Sequence, residues 1–227
     1  MRSVLIFGPT RGFREPALAL RLQETVHAAR SRGWRVDVVL PREDLSLRLP
    51  DGVGVYVPPR LLSPSRVPDA PSLRGIFAAR LMFLRALPLA TAARYTIFHG
   101  YDDGACVARA VDRATVRRFP FVAEFRRPVS THDGPIGLFA DIARRREQSV
   151  LRHASAVILP DGAMAAAFEK PPAKSIVSVI PEPCGDTNEE FFTVAEFETA
   201  VMQSYEFAAL RSDAANGADG ADGGEDK

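Results

Sequence analysis

Seven short apolar runs, separated by longer stretches of helical periodicity, leave this chain few folds to adopt. They are SVLIF (Ser3–Phe7), WRVDVVL (Trp34–Leu40), GVGVYV (Gly52–Val57), YTIFH (Tyr95–His99), FPFVAEF (Phe119–Phe125), AVILP (Ala156–Pro160) and SIVSVI (Ser175–Ile180). Runs this short, without strict polar alternation, read as strands buried on both faces. Between the first two, residues 14–32 place Leu18, Leu22, Val26 and Ala29 at helical spacing, and Gly33 stands where a C-cap glycine belongs. Further helices are expected over 72–86, 102–118, 135–153, 161–169 and 194–211, the last with Phe197, Val201, Tyr205 and Ala208 on one face. Strands joined by such helices predict right-handed crossovers and a doubly wound, Rossmann-like parallel sheet of about seven strands. Ligands of such sheets lie beyond the carboxyl ends of the strands, which nominates the segments after Phe7, His99, Phe125, Pro160 and Pro181.

Charge and cysteine content narrow the function classes. The net charge is +1, but five acidic residues and one lysine fall after Arg211, so the body carries +5 against a tail of −4. That favours anionic ligands mildly and is too weak for a nucleic-acid binder, so no nucleic-acid partner is expected. Cys106 and Cys184 make no metal or disulfide pattern and read as idle thiols in a reducing compartment. The four histidines are scattered, and neither a metal nor another cofactor is expected. The apolar run before Gly8 is too short for a signal sequence or a bilayer span, so the expected location is cytoplasmic.

The stretch KSIVSVIPEPCGDTNEEFF (Lys174–Phe192) reads as a last strand followed by a hinge. Only 35 residues follow Phe192, and the last 16 are almost all Ala, Gly and Asp. The expected organisation is one Rossmann domain over 1–192, an amphipathic helix over 193–211, and a disordered acidic tail over 212–227.

Four segments together resemble the N-terminal half of a GT-B glycosyltransferase of the family-4 type. VLIFGPTRGFREPALALRLQETVHAARSRGWRVDVVLPRED resembles that family's first strand, glycine-bearing loop, long helix and second strand. YTIFHGYDDGACVARAVDRATVRRFPFVAEFR is similar to its next strand–helix–strand unit, and DIARRREQSVLRHASAVILPDGAMAAAF to the helix and strand that follow. VSVIPEPCGDTNEEFF resembles the segment that closes the N-terminal domain. The resemblance covers roughly residues 1–192 and implies a two-domain enzyme whose N-terminal half binds the acceptor while the other half grips a nucleotide sugar. The expectation is therefore an acceptor-side domain. It would act on a sugar or lipid-linked acceptor, with the donor domain supplied by a separate polypeptide. The alternative is a non-catalytic binding or scaffolding domain that kept the fold. Where the family often shows Arg-Asp after the fifth strand, this chain has Arg126–Arg127.

Three strand exits carry the candidate site residues. GPTRGF holds Gly8, Arg11 and Gly12 ahead of a helix N-terminus, either an anion site or a plain turn. HGYDDG holds His99, a candidate base, and Asp102, a ligand contact or helix cap. EFRRPVSTHDGP holds Arg126 and Arg127, suited to a phosphate or carboxylate, and His132, the stronger candidate for general base. The triplet Arg144–Arg146 reads as a solvated helix face. RGIFAARLMFLRALPLATAAR (Arg74–Arg94) reads as a core-facing helix, with no more than peripheral membrane contact expected.

Overall fold

The computed structural model describes residues 1–12, 16–42, 47–59, 72–93, 95–126, 138–160, 176–180 and 193–218. The helix expected over 161–169 lies outside these residues. Seven strands form one sheet: β1 (Ser3–Phe7), β2 (Arg35–Val39), β3 (Gly54–Tyr56), β4 (Ile97–Tyr101), β5 (Phe121–Glu124), β6 (Ala156–Leu159) and β7 (Ile176–Val179). Their order is β3-β2-β1-β4-β5-β6-β7, and every pairing is parallel. The helices are α1 (Pro16–Ser31), α2 (Leu73–Ala92), α3 (Gly104–Ala114), α4 (Leu138–Leu151) and α5 (Val194–Ala218). The expected doubly wound Rossmann-like sheet is the fold observed.

Burial on both faces explains the continuous apolar runs. Val4 and Ile6 join one core cluster with α1 and α5, while Leu5 and Phe7 join the other with α2, α3 and α4. The α1 stripe of Leu18, Leu22, Val26 and Ala29 is buried as its spacing required. Gly33 ends α1 at φ +76°, and the Gly33 and Trp34 N–H groups bond the Arg30 and Ala29 carbonyls in the left-handed cap that glycine adopts most easily. Strand order reverses between β1 and β4, which puts the topological switch point over those two strands.

Two helices run further than their sequences suggest. Pro88 was expected to close α2 at Ala86, yet the helix continues to Ala92. The proline removes one helical hydrogen bond, to the Leu84 carbonyl, and both residues face outward, where water replaces it. Likewise α5 reaches Ala218, past the expected end at Arg211, with the good helix former Ala at 214 and 215. Its start is a capping box: Thr193 Oγ1 accepts from the Glu196 N–H at 3.3 Å, and Glu196 accepts from the Thr193 N–H at 2.8 Å.

The inner face of α5 is covered rather than open. Phe197, Val201, Met202, Tyr205 and Ala208 are each fully buried, packed on α1 and over β4 to β7. At about 1.5–3 kcal/mol for burying each large apolar side chain, this seam is a major part of the domain's stability.

Candidate functional site

Polar groups gather at the carboxyl ends of β1 and β4, where the switch point forms a crevice. The β1–α1 turn and the start of α3 meet there at close quarters. A Cβ built on Gly104 would stand 2.3 Å from the Gly8 carbonyl oxygen and 2.6 Å from that of Phe7, so only glycine fits. The Thr10 N–H donates to Asp103 Oδ1 at 2.8 Å, and its hydroxyl bonds Asp103 Oδ2. These contacts lock the first loop onto the third helix.

Asp102 is the hub of this crevice. Its backbone sits at φ +48°, a left-handed position that Asp tolerates better than most residues. Its Oδ2 accepts from Arg11 Nη2 at 2.9 Å, and its Oδ1 accepts from the Arg126 N–H at 2.8 Å. The Asp102 N–H donates to the Glu124 carbonyl at 2.7 Å. One carboxylate therefore ties together the exits of β1, β4 and β5. Arg11, Asp102 and Arg126 were nominated from three separate segments, and the fold brings all three to one place.

The other nominated residues fare differently. Gly8 and Gly12 were candidates to present free N–H groups to an anion. Instead Gly8 donates to the Val39 carbonyl at 3.0 Å and Gly12 to the Pro9 carbonyl at 2.9 Å, with Gly12 at φ +76°. Both N–H groups are consumed by the turn, so the loop is built as a turn rather than an open anion nest. Arg127 and His132 lie outside the described residues.

His99 was placed at a strand exit as a candidate base, and the structure moves it. The strand runs on to Tyr101, because Gly100 and Tyr101 keep pairing with Phe7 and Glu124. His99 is thus mid-strand and fully buried, facing α1 and α5 with Ile97 and Tyr101. Its Nδ1 shares a hydrogen bond with the Tyr205 hydroxyl at 2.7 Å, and its Nε2 lies 3.3 Å from Glu124 Oε2. Tyr101 stacks on it, with ring centroids 4.6 Å apart.

Sequence reasoning missed the rest of this buried network. Arg21 bonds Glu124 through Nε and the Ile180 carbonyl through Nη2, the latter at 2.9 Å, and its guanidinium lies over the Phe197 ring. Arg21 and Glu124 are 1% and 2% exposed. Burial alone pushes the Glu124 carboxyl up. Arg21, with His99, more than offsets that and holds it below the usual glutamate range. Burial, followed by the nearby Glu124 charge, raises the Tyr101 and Tyr205 hydroxyls well above the ordinary tyrosine value. One signal was available: Arg21 and Thr25 sit within the apolar stripe of α1, so a charge on the core side was already written in the spacing.

A glycosyl transferase 4-like domain model matches residues 17–181 of the chain. No curated protein matches it in sequence. Among solved structures, a sucrose-phosphate synthase from Thermosynechococcus elongatus superposes with a TM-score of 0.62 at 12% identity, over 82% of this chain and 49% of that one. A chain of the same enzyme labelled 27_220_406_426 is covered over 99% of its length, with 93% of this chain, a TM-score of 0.60 and 12% identity. Phytolacca americana UGT2, named in complex with UDP-2fluoro-glucose and pterostilbene, superposes with a TM-score of 0.53 at 14% identity, over 82% of this chain and 55% of that one. The present chain spans about half the length of the first and third of these.

Proposed function

The chain belongs to the glycosyl transferase 4-like domain family, and from that premise we propose that it is the acceptor-side domain of a glycosyltransferase. It takes part in transfer from a nucleotide sugar together with a separately supplied donor-binding domain. The observation that carries this reading is the polar crevice of Arg11, Asp102 and Arg126 over the switch point of a sheet whose two faces are otherwise covered by helices. A solved protein of this fold is named with a nucleotide sugar and a small acceptor together. In the proposed reaction an acceptor hydroxyl attacks the anomeric carbon, the nucleoside diphosphate leaves, and the hydroxyl proton passes to a base. His132 is the residue proposed for that base. Arg11 and Arg126 bind anionic groups of the acceptor once Asp102 releases Arg11. His99 supports β4 and α5 from within the core.

A non-catalytic binding or scaffolding role is the second reading. It is favoured by how fully the described candidates are engaged within the protein: Arg11 by Asp102, His99 by Tyr205 and Glu124. Calorimetry and thermal shift of the chain against nucleotide sugars separate these readings from a donor-binding one. A ligand at a hundredfold excess over its Kd stabilises by about 2.7 kcal/mol, an easily measured shift. The expected result is no shift for the chain alone. A clear shift would make this domain donor-binding and overturn the acceptor-side assignment. Turnover after adding a donor-half polypeptide supports catalysis, whereas its binding without turnover supports the scaffold.

A further inference from the structure

Helix α2 has the wrong outer surface for a helix that only closes a core. Its inner stripe of Ala78, Leu81, Met82, Ala86 and Ala90 is buried. Its outward ridge is also apolar: Leu73, Phe77 and Leu84 are 68%, 48% and 63% exposed. Over its best window the mean hydropathy is 1.4, yet only 28% of that window is buried. Scattered exposed apolar residues are ordinary, but these three lie in line along one helix face at i, i+4 and i+11.

Arginines flank that ridge on both sides. On one side lie the exposed Arg74 and Arg85. On the other, a groove of about 540 Å³ runs between α2, α3 and α4, with Arg80, Arg109, Arg113, Arg145 and Arg146 around it. Its floor is apolar, with Phe83, Val107 and Val150 among the lining residues, and no carboxylate lines it. Arg109 pairs with Asp112, but its buried Nε has no hydrogen-bond partner among the described residues. Five guanidinium groups around one groove repel each other until an anion sits among them.

We propose that α2 and its arginine groove dock this domain on the surface of an anionic phospholipid membrane. An apolar ridge between rows of arginine is what a helix lying in the headgroup plane needs. Leu73, Phe77 and Leu84 enter the acyl boundary while the arginines reach the phosphates. The groove accepts a lipid phosphate, with its apolar floor facing the glycerol and upper chain. The helix lies on the bilayer and does not span it, because its inner stripe is held against the sheet and α3. The whole chain has a net charge of only +1, so the attraction comes from this face rather than from the protein as a whole. The proposal does not depend on the glycosyltransferase reading.

Flotation of the full chain with vesicles of phosphatidylcholine, with and without phosphatidylglycerol, tests it. Binding is expected only with phosphatidylglycerol. The triple substitution Arg80→Glu, Arg113→Glu and Arg145→Glu lowers the partition coefficient about a hundredfold, at about fivefold for each arginine charge lost. The pair Phe77→Asp and Leu84→Asp abolishes binding too, and because both side chains are exposed the thermal melt stays unchanged. Failure of the wild-type chain to float with phosphatidylglycerol overturns the proposal, as does full binding by the aspartate pair, which would reduce the effect to surface charge. A melt raised by inorganic phosphate or by a polyglutamate peptide through the same arginines, without vesicle binding, assigns the groove to a free anion or an acidic protein and also overturns it.

Discussion

Replacing Arg21 with methionine separates a buried charge pair from ordinary packing. Methionine fills much of the same space beside Phe197 but leaves the Glu124 carboxylate and the Ile180 carbonyl without their guanidinium. Both members of the pair are at most 2% exposed, so water cannot take over. Removing one partner of a buried pair costs about 3–5 kcal/mol, a large share of the ~5–15 kcal/mol that holds a domain together. For a domain of this size that lowers Tm by roughly 6–20 °C. The pH dependence supplies an internal check. In the wild type the Glu124 pKa lies below its ordinary 4.5, so the carboxylate stabilises the fold above that value and the contribution is lost as pH falls through the folded-state pKa. In Arg21→Met burial dominates and the same pKa rises, so protonation relieves the variant at higher pH than it harms the wild type. The stability gap between the two should be widest near neutrality and narrow on acidification. Adding Glu124→Gln to Arg21→Met should recover part of the loss. Urea melts of all three across pH decide the matter. A loss under about 1 kcal/mol that is the same at every pH would refute the claim that this pair is buried and coupled.

Four further outcomes are expected. Tyr205→Phe removes the hydroxyl from His99 Nδ1 and should cost about 1–3 kcal/mol by thermal melt, because a buried imidazole nitrogen loses its partner. Gly104→Ala forces a Cβ against the Gly8 and Phe7 carbonyls and should cost about 1–3 kcal/mol in a urea titration. Asp102→Ala orphans the Arg126 N–H and releases Arg11, whereas Asp102→Asn keeps an acceptor and tolerates the left-handed backbone; melts should rank them wild type, Asn, Ala. A chain ending at residue 192 strips the cover from the α1 face of the sheet, and should bind ANS and lose its cooperative melt.

Much of the architecture was legible because it depends on local pattern. A strand buried on both faces must be apolar at every position, so β1, β2 and β6 announce themselves. Gly33 marks the end of α1 because the cap needs a positive φ. The candidate site was legible only as strand exits. That Arg11, Asp102 and Arg126 share one carboxylate depends on residues up to 115 positions apart being brought together by strand order. His99 was misplaced by two residues of strand length, and in a strand that difference decides whether a side chain ends in the crevice or in the core.

The sequence by itself determined the alternation of elements, their buried stripes, and hence the parallel doubly wound sheet, because periodicity is a property of neighbouring residues. Tertiary structure alone decided that the charges of Arg21 and Glu124, 103 positions apart, would meet and offset each other's burial. It also decided that α5 would close the sheet, and that α2 would turn as much apolar surface outward as inward. Those outcomes depend on which surfaces face each other once the chain has closed on itself, and no local stretch carries that information.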